Sequence, residues 1–409
     1  MVISVNPVNL AAWYRNSTSP IYDGNTPLIM RPPIQSFDKI IAPETAVGDR
    51  FTGVTAGQRV GLTDGTYVGF NAGQIPDFVA VEAVNHGMVT INGGDQPTFS
   101  DAVFVLDGEG QEGNGLRVGN PTNTMSNAAQ IDGINNTLKN TACYNGGSHK
   151  HKIPLRVSGT GHLVEDCWAW GVGRYTMQSF IATFCTFRRC VARWDATIAN
   201  EDTEPNATFS CYNSSDMLWE NCISLDYGFP ETPMDFGGDF YQPQNAGIYP
   251  YGNQDNRFLG NFAVNHSDNT NNQRAYRMDY GTVASGNVLD NFYVRINGTV
   301  YVSNPNASSC SIGNITAIDV GSLGDVSTAD PTPIVPTGPA ETEFQYLNGA
   351  LTATPLWPWP NEVRIIADFT GPDNRRSTNP AETAYQSPTN YGYSAWNAGS
   401  LSLKDYIGV

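Results

Sequence analysis

The fold is decided by the stretch Leu163-Val-Glu-Asp-Cys-Trp-Ala-Trp-Gly-Val-Gly-Arg-Tyr-Thr-Met-Gln-Ser-Phe-Ile-Ala-Thr-Phe-Cys-Thr-Phe-Arg-Arg-Cys-Val-Ala-Arg-Trp-Asp195. Two segments within it, residues 164–168 and 187–191, share one pattern: an apolar residue, two charged residues, a cysteine and another apolar residue. Their cysteines, Cys167 and Cys190, are 23 residues apart. A repeat that short, built from brief strands, predicts one coil of a parallel β-helix rather than a helical repeat.

The same pattern recurs along the chain with cysteine or asparagine at its fourth position. Beginning with a weaker match at Thr141, the aligned residues are Thr141, Cys167, Cys190, Cys222, Asn261, Asn291 and Asn314, at intervals of 26, 23, 32, 39, 30 and 23 residues. A shortest interval near 23 with longer ones between predicts a fixed coil that carries loops of variable length. Short apolar-polar motifs also recur by chance, but this many aligned instances favour one internal ladder of stacked side chains.

Composition indicates an all-β protein with many turns. Charged residues make up 15% of the chain, below the roughly 25% of typical soluble domains, and turn-forming Gly (41) and Pro (26) are frequent. The net charge of −17 disfavours nucleic acid and an anionic membrane surface as partners. Such an acidic surface suits a soluble particle or an extracellular setting.

The termini and cysteines bear on where the protein folds. The first residues lack the basic segment and continuous apolar core of a signal peptide, and no run of about 18 apolar residues predicts a transmembrane helix. Seven cysteines are an odd number, and at least three of them belong to the ladder. We therefore expect reduced, buried thiols and folding in a cytoplasm.

The chain divides into four predicted parts. Residues 1–54 form an N-terminal arm and cap, 55–322 the parallel β-helix, 323–342 a Pro-rich linker and 343–409 a C-terminal capping segment rich in Pro and Trp. Trp357 and Trp359, separated by a proline, are candidates for a carbohydrate-binding platform. The alternative, which we favour, is that they cover the last coil.

The longest interval, between Cys222 and Asn261, holds carboxylates and aromatic residues. Asp235 and Asp239 lie in a glycine-containing segment whose oxygen ligands would suit Ca²⁺, and Tyr249 and Tyr251 would stack on sugar rings. The same loop is equally suited to packing on the helix wall or on a neighbouring subunit. No other cofactor is indicated.

Charged residues crowd two successive coils of this charge-poor chain. Arg193 and Asp195 share a strand face, and with Arg174 they are the candidate catalytic residues: an arginine base held by a carboxylate would suit uronan lyase chemistry. The alternative is structural, with Glu165-Asp166 stacked over Arg188-Arg189 so that ion pairs between coils neutralise the flank. We favour this structural interpretation.

Three blocks, at residues 56–67, 165–195 and 356–362, together resemble right-handed parallel β-helix proteins of the pectate-lyase-like superfamily. The likeness is strongest to bacterial and phage members, many without a characterised activity, and covers residues 55–320 and the tryptophan segment. The resemblance implies the fold, and a polysaccharide site along one sheet face or between subunits. The residue series of galacturonan hydrolases and a Lys/Arg pair like that of alginate lyases are missing, so the resemblance leaves catalysis open.

These features favour a non-enzymatic function. We expect a virion appendage or decoration protein of a phage, similar to a tailspike or fibre, that contacts host surface polysaccharide. It would be a homo-oligomer, a trimer, made in the host cytoplasm and assembled with other virion proteins. The alternative is an extracellular polysaccharide lyase or glycoside hydrolase.

Overall fold

Three parallel sheets form the body of the protein. The computed structural model describes residues 37–70, 75–84, 89–92, 98–99, 104–107, 116–120, 129–145, 153–171, 174–194, 207–227, 239–244, 255–264, 273–278, 285–289, 292–294, 298–303, 309–313, 316–318, 322–324, 344–370 and 403. Within them, successive coils add one strand to each sheet, and neighbouring strands pair in parallel. The predicted right-handed parallel β-helix is confirmed, with the right-handed sense of parallel crossovers.

The strands are as follows. Sheet A contains Lys39–Ile41, Arg59–Leu62, Val79–Ala83, Phe104–Asp107, Thr137–Lys139, Leu163–Glu165, Thr186–Arg188, Leu218–Glu220, Asn256–Leu259, Ser285–Leu289 and Ser309–Gly313. Sheet B contains Gly65–Val68, Val89–Asn92, Leu116–Asn120, Thr141–Asn145, Trp168–Gly171, Val191–Trp194, Ile223–Tyr227, Phe262–Val264, Phe292–Val294 and Thr316–Ile318. Sheet C contains Thr98–Phe99, Ala129–Ile131, Leu155–Thr160, Tyr175–Thr183, Ala207–Tyr212, Asp239–Gln244, Gln273–Met278, Gly298–Ser303 and Ser322–Gly324.

A short joint links sheet A to sheet B in each central coil. Its first residue is left-handed, with φ of 47° at Asn140, 56° at Asp166, 49° at Arg189 and 54° at Asn221. The N–H of Asn140 donates to the carbonyl of Glu165 in the next coil at 3.1 Å, and the other joints repeat this bond. The chain therefore turns within a two-residue step, which keeps sheets A and B in one register from coil to coil.

The cysteine ladder lies directly after this joint and points inward. The thiol of Cys167 donates to the carbonyls of Glu165 at 3.2 Å and of Leu138, in the preceding coil, at 3.5 Å. Cys190 and Cys222 repeat both contacts, and the six cysteines whose side chains are described are buried and form no disulfide. The side chains of Cys167, Cys190, Cys222 and Asn261 each donate to a backbone carbonyl of the preceding coil. The predicted ladder is therefore confirmed from Cys167 to Asn261.

Asn261 completes its bonds with backbone groups rather than with another side chain. Its Nδ2 donates to the carbonyl of Trp219 at 3.0 Å, and its Oδ1 accepts from the N–H of Cys222 at 2.8 Å. Asn291 and Asn314 lie outside the described residues. The predicted alignment of Asn291 with Asn314 is wrong by one residue. It would pair Val288 with Ser311, whereas Val288 pairs with Ile312.

Aromatic rings stack inside the helix behind sheet A. Phe187 and Trp219 are register partners with ring centroids 3.8 Å apart and planes 7° from parallel, and Phe258 continues the stack at 6.2 Å from Trp219. Parallel register places like side chains one coil apart, so each ring covers the next. Burying a side chain of this size contributes about 3 kcal/mol.

The first coil is covered by residues 42–58, which include a 3-10 turn at Val47–Asp49. Phe51 and Val54 are buried in the main core cluster. Arg50, also buried, donates to the carbonyls of Thr45 and Val68 and lies 5.5 Å from the centre of the Tyr67 ring. These three residues extend the buried core beside the first strands of sheet A, and the N-terminal arm and cap over residues 1–54 stays a prediction.

Residues 344–370, which we call the C-terminal strap, pack on the side of the β-helix. The strap consists of an antiparallel hairpin, Phe344–Leu347 and Ala350–Pro355, and a helix, Glu362–Thr370. The helix belongs to an apolar cluster on the outer face of sheet B that includes Trp168 and Ile223. Among the described residues, no helix has the length and apolar character to cross a membrane.

The ladder predicts how substitutions at Cys190 will behave. Cys190→Ser should lower the free energy of unfolding by about 1 kcal/mol, because a hydroxyl retains the bonds to the carbonyls of Val164 and Arg188. Cys190→Arg should lower it by more than about 3 kcal/mol, because it buries an unpaired charge. Urea denaturation measures both, and equal losses would contradict the inward ladder.

Candidate functional site

A row of alternating charges crosses four coils on the outer face of sheet A. Lys139, Glu165, Arg188 and Glu220 are register partners in adjacent strands. Glu165 receives Lys139 Nζ at 2.9 Å and Arg188 Nη1 at 3.1 Å, and Arg188 Nε also pairs with Glu220. All four side chains are buried. Because cations and anions alternate, each of the four charges faces an opposite charge in at least one neighbouring coil.

A second ion pair lies at the left-handed joint. Arg189 binds Asp166 through Nε–Oδ1 at 2.6 Å and Nη2–Oδ2 at 3.0 Å, and it also reaches Glu165 at 3.1 Å. The structural interpretation of the two charged coils, Glu165-Asp166 stacked over Arg188-Arg189, is therefore confirmed. These residues hold coils together.

The C-terminal strap completes the row. Glu220 has Leu259, not a cation, as its partner in the next coil, and it accepts instead from the N–H groups of Asn348 at 3.1 Å and Gly349 at 2.9 Å. Arg188 Nη2 donates to Asn348 Oδ1 at 2.7 Å, and Arg189 Nη1 to Gln345 Oε1 at 3.2 Å. The strap thus supplies uncharged hydrogen-bond donors and acceptors at Glu220, where the row of charged side chains ends.

The network shifts the pKa of its central carboxylate. Burial penalises the charged form of Glu165, but the combined field of Lys139, Arg189 and Arg188 outweighs burial and lowers the pKa of Glu165 below its ordinary value. The negative charges of Asp166 and, to a smaller extent, Glu165 raise the pKa of Arg189 despite its burial. Glu165 and Arg189 are therefore held in their charged forms. Burial raises the pKa of Asp166 above its ordinary value, although the charge of Arg189 opposes this shift.

The candidate catalytic residues have different placements. Arg193 is fully buried beneath the strap helix, where Nη1 donates to the carbonyl of Phe369 at 2.8 Å and the guanidinium lies 4.3 Å from the Phe369 ring centre. Arg174 is half-buried beside the Tyr175 ring, at 5.6 Å. Asp195 lies outside the described residues. With the strap docked, Arg193 contacts the helix and not solvent.

The other predicted site residues are only partly described. Asp235, Tyr249 and Tyr251 lie outside the described residues, and Asp239 is described only as the first residue of a sheet C strand. The described residues contain no group of three His, Cys, Asp or Glu side chains arranged to hold a metal ion.

Trp357 and Trp359 lie on the side of the β-helix rather than over its end. Their ring centroids are 5.4 Å apart, and Trp357 contacts Phe262 of sheet B at 6.1 Å. Trp359 is buried and Trp357 only partly so. The apolar outer face of sheet B needs cover, which explains why the pair lies here instead of over the last coil.

Sequence reasoning missed the outer face of sheet C, where three side chains from successive coils stack. The guanidinium of Arg156 lies 4.0 Å from the centre of the Phe180 ring, and Phe180 stacks on Tyr212 with centroids 5.4 Å apart and planes 20° from parallel. Both rings are half-buried. Phe180 therefore lies between Arg156 of the preceding coil and Tyr212 of the following coil. We call this partly exposed column of three side chains the platform.

Polar groups without partners surround this platform. Arg156 Nε, Ser158 Oγ, Thr208 Oγ1 and Ser210 Oγ are all buried atoms with no hydrogen-bond partner in the protein. Thr208 and Ser210 are fully buried residues that alternate with the core residue Phe209 along one strand, so they face outward. Buried polar groups almost always have partners, so atoms of this kind next to a partly exposed stack are a feature that a function has to explain.

A β-bulge positions the aromatic rings. Val157 pairs with Ser179 but Gly159 with Ala182, so the strand Tyr175–Thr183 carries one extra residue at this point. Ile181, the residue after Phe180, has φ of 53°, a conformation rarely adopted by β-branched residues. Bulges re-aim side chains beside functional sites, and this one sets the direction of Phe180.

Sheets A and B and the strap define a closed structural flank. On the outer face of sheet C, Arg156, Phe180 and Tyr212 stay partly exposed, whereas Thr208 and Ser210 are buried. The protein is a right-handed parallel β-helix. No protein-family profile and no curated protein sequence matches the chain.

Several solved structures are similar to it. A pectate lyase, Pel9A, is 15% identical with a TM-score of 0.47, over 76% of this chain and 84% of that chain. A pectin methylesterase from Aspergillus niger is 10% identical with a TM-score of 0.37, over 76% and 93%. The Streptococcus pneumoniae adhesin PfbA is 9% identical with a TM-score of 0.32, over 68% and 90%. At these values we draw no function from the similarity.

The buried ion pairs predict a strong effect of removing one partner. Arg189→Met should lower the free energy of unfolding by about 3–5 kcal/mol, because Asp166 would stay buried without its cation. The comparison is Arg59→Met: the side chain of Arg59 is 22% exposed against 7% for Arg189, although its partner Glu82 is buried, so we expect a smaller loss. Urea denaturation compares the two variants, and equal losses would show that burial does not govern these pairs.

Proposed function

We propose that this protein binds a saccharide on the outer face of sheet C. The stack of Arg156, Phe180 and Tyr212, bordered by unpartnered hydroxyl groups, is the observation that carries the proposal. The apolar face of a sugar ring packs on an aromatic ring, and its hydroxyl groups would bond to Arg156 and Ser158, which are partly exposed. Ligand sites commonly join such apolar surfaces to a few convergent polar groups.

We further propose that binding, not catalysis, is the function. The charged coil pair that suggested catalysis is engaged in buried ion pairs, and the strap covers Arg193. A catalytic role for Arg193 and Asp195 would require the strap helix to leave. A sugar-binding platform on sheet C needs no such change.

The setting that we propose is a bacterial virus particle. There the protein would be an appendage or decoration protein, a homotrimer assembled with other virion proteins in the host cytoplasm, that contacts host surface polysaccharide. Stacked coils, buried ion pairs and ring stacks favour a body that resists unfolding outside a cell. Ca²⁺ at Asp235 and Asp239, and sugar contact at Tyr249 and Tyr251, remain part of the proposal.

An extracellular polysaccharide lyase is the second candidate, and one observation favours it. Burial lowers the pKa of Arg156, although the nearby charge of Asp132 opposes the shift. A lowered pKa is the direction that a proton-abstracting arginine requires. In this alternative Arg156 would act as the base on the same sheet C face.

Substitutions in the platform test the proposal. Phe180→Ala and Tyr212→Ala should each weaken polysaccharide binding about tenfold, equivalent to about 1.4 kcal/mol, because each removes a stacking surface. Affinity electrophoresis in gels containing lipopolysaccharide, capsular polysaccharide or polygalacturonate measures the retardation. The matched control is Phe184→Asn, which removes an exposed phenylalanine outside the stack at a left-handed position that asparagine tolerates.

Several outcomes separate the candidates. Retardation of the unmodified protein that is lost in both platform variants and kept in the control supports binding at sheet C. No retardation in any gel, or equal retardation of all variants, rejects it. Release of unsaturated oligosaccharides, detected by ultraviolet absorbance and abolished by Arg156→Gln, would establish the lyase. Mass spectrometry of purified virus particles tests the proposed location.

A further inference from the structure

The hairpin of the C-terminal strap turns at an asparagine followed by a glycine. Asn348 and Gly349 connect its two strands, with φ of 52° and 79°. Two successive positive φ values define a type I′ turn, for which Asn-Gly is the preferred sequence. Asn-Gly thus suits the folded turn. In a flexible chain, however, the same dipeptide is prone to deamidation.

Four contacts hold this turn on the β-helix. The N–H groups of Asn348 and Gly349 both donate to the carboxylate of Glu220, and Arg188 donates to Asn348 Oδ1. Arg257 Nη2 also donates to the carbonyl of Gly349 at 2.6 Å. The backbone nitrogen of Gly349 and the side-chain amide of Asn348 are therefore held by two different partners.

Deamidation of an Asn-Gly pair needs those two groups to meet. The nitrogen of Gly349 attacks Cγ of Asn348, a new C–N bond forms, and the side-chain amide leaves as ammonia. Water then opens the resulting succinimide at either carbonyl, which gives aspartate or isoaspartate. The attack requires the turn to release Glu220 and Arg188, because the Gly349 nitrogen must swing towards the side chain.

We propose that Asn348-Gly349 is a conditional deamidation site that makes release of the C-terminal strap irreversible. While the strap is docked, the four contacts suppress the reaction. When it leaves, the turn reacts. Isoaspartate adds a carbon to the backbone within the turn, so the two N–H groups no longer match the carboxylate of Glu220, and a new negative charge lies beside it. The strap then cannot redock, and Arg193 and Trp168 stay uncovered.

The test measures deamidation in the full chain. The native protein, the same chain unfolded in urea, and the variant Glu220→Gln are incubated in mildly alkaline buffer, digested, and the peptide with residue 348 is followed by mass spectrometry. The native rate should be at least about tenfold below the unfolded rate, the factor that about 1.4 kcal/mol of local opening gives. Glu220→Gln should react faster than native, whereas the control Glu82→Gln, in a distant ion pair, should match native.

A second measurement follows the consequence. Hydrogen exchange should show lost protection of the helix Glu362–Thr370 in deamidated molecules only. Equal rates in native and unfolded protein, or a faster native rate, would overturn the proposal. So would deamidated molecules that retain full protection of the helix. If Glu220→Gln does not fold, the native and unfolded rates together with hydrogen exchange still decide.

Discussion

The left-handed joint between sheets A and B is the constraint on which the rest of the structure depends. One residue with positive φ turns the chain, and its N–H donates to the carbonyl of the coil that follows. Because this joint has constant length, residues on both sides of it stay in register through the central coils. The cysteine ladder, the stack of Phe187, Trp219 and Phe258, and the alternating charges are all consequences of that register.

The charged row shows how one flank can be polar in sequence yet buried in structure. Desolvating a lone carboxylate or guanidinium costs several kcal/mol, so burial is tolerated only where every charge has close partners. Register provides those partners between coils, and the strap provides them at Glu220, where the next coil has Leu259. The strap therefore provides partners for the charged row at Glu220, and the charged row provides the contacts that hold the turn of the strap.

Features next to the joint could be predicted from the sequence, whereas features that depend on loop length could not. The ladder through Asn261 and the pairing of Glu165-Asp166 with Arg188-Arg189 follow from a fixed spacing. The platform on sheet C does not, because loops of varying length precede its strands and a bulge at Ile181 shifts the register. The docking of the strap was also missed, since Asn361 contacts Asn140 from 221 residues away.

The strap also changes how the repeat would come apart. In a linear array each coil interacts mainly with its two neighbours, so coils could open one at a time from either end. Here residues of one segment, from Gln345 to Phe369, contact coils from Asn140 to Phe262 at once. Opening any one of these coils strains contacts of the others, which couples them into a single cooperative unit. Under mechanical load along its axis, this central region would yield as one block, and not coil by coil.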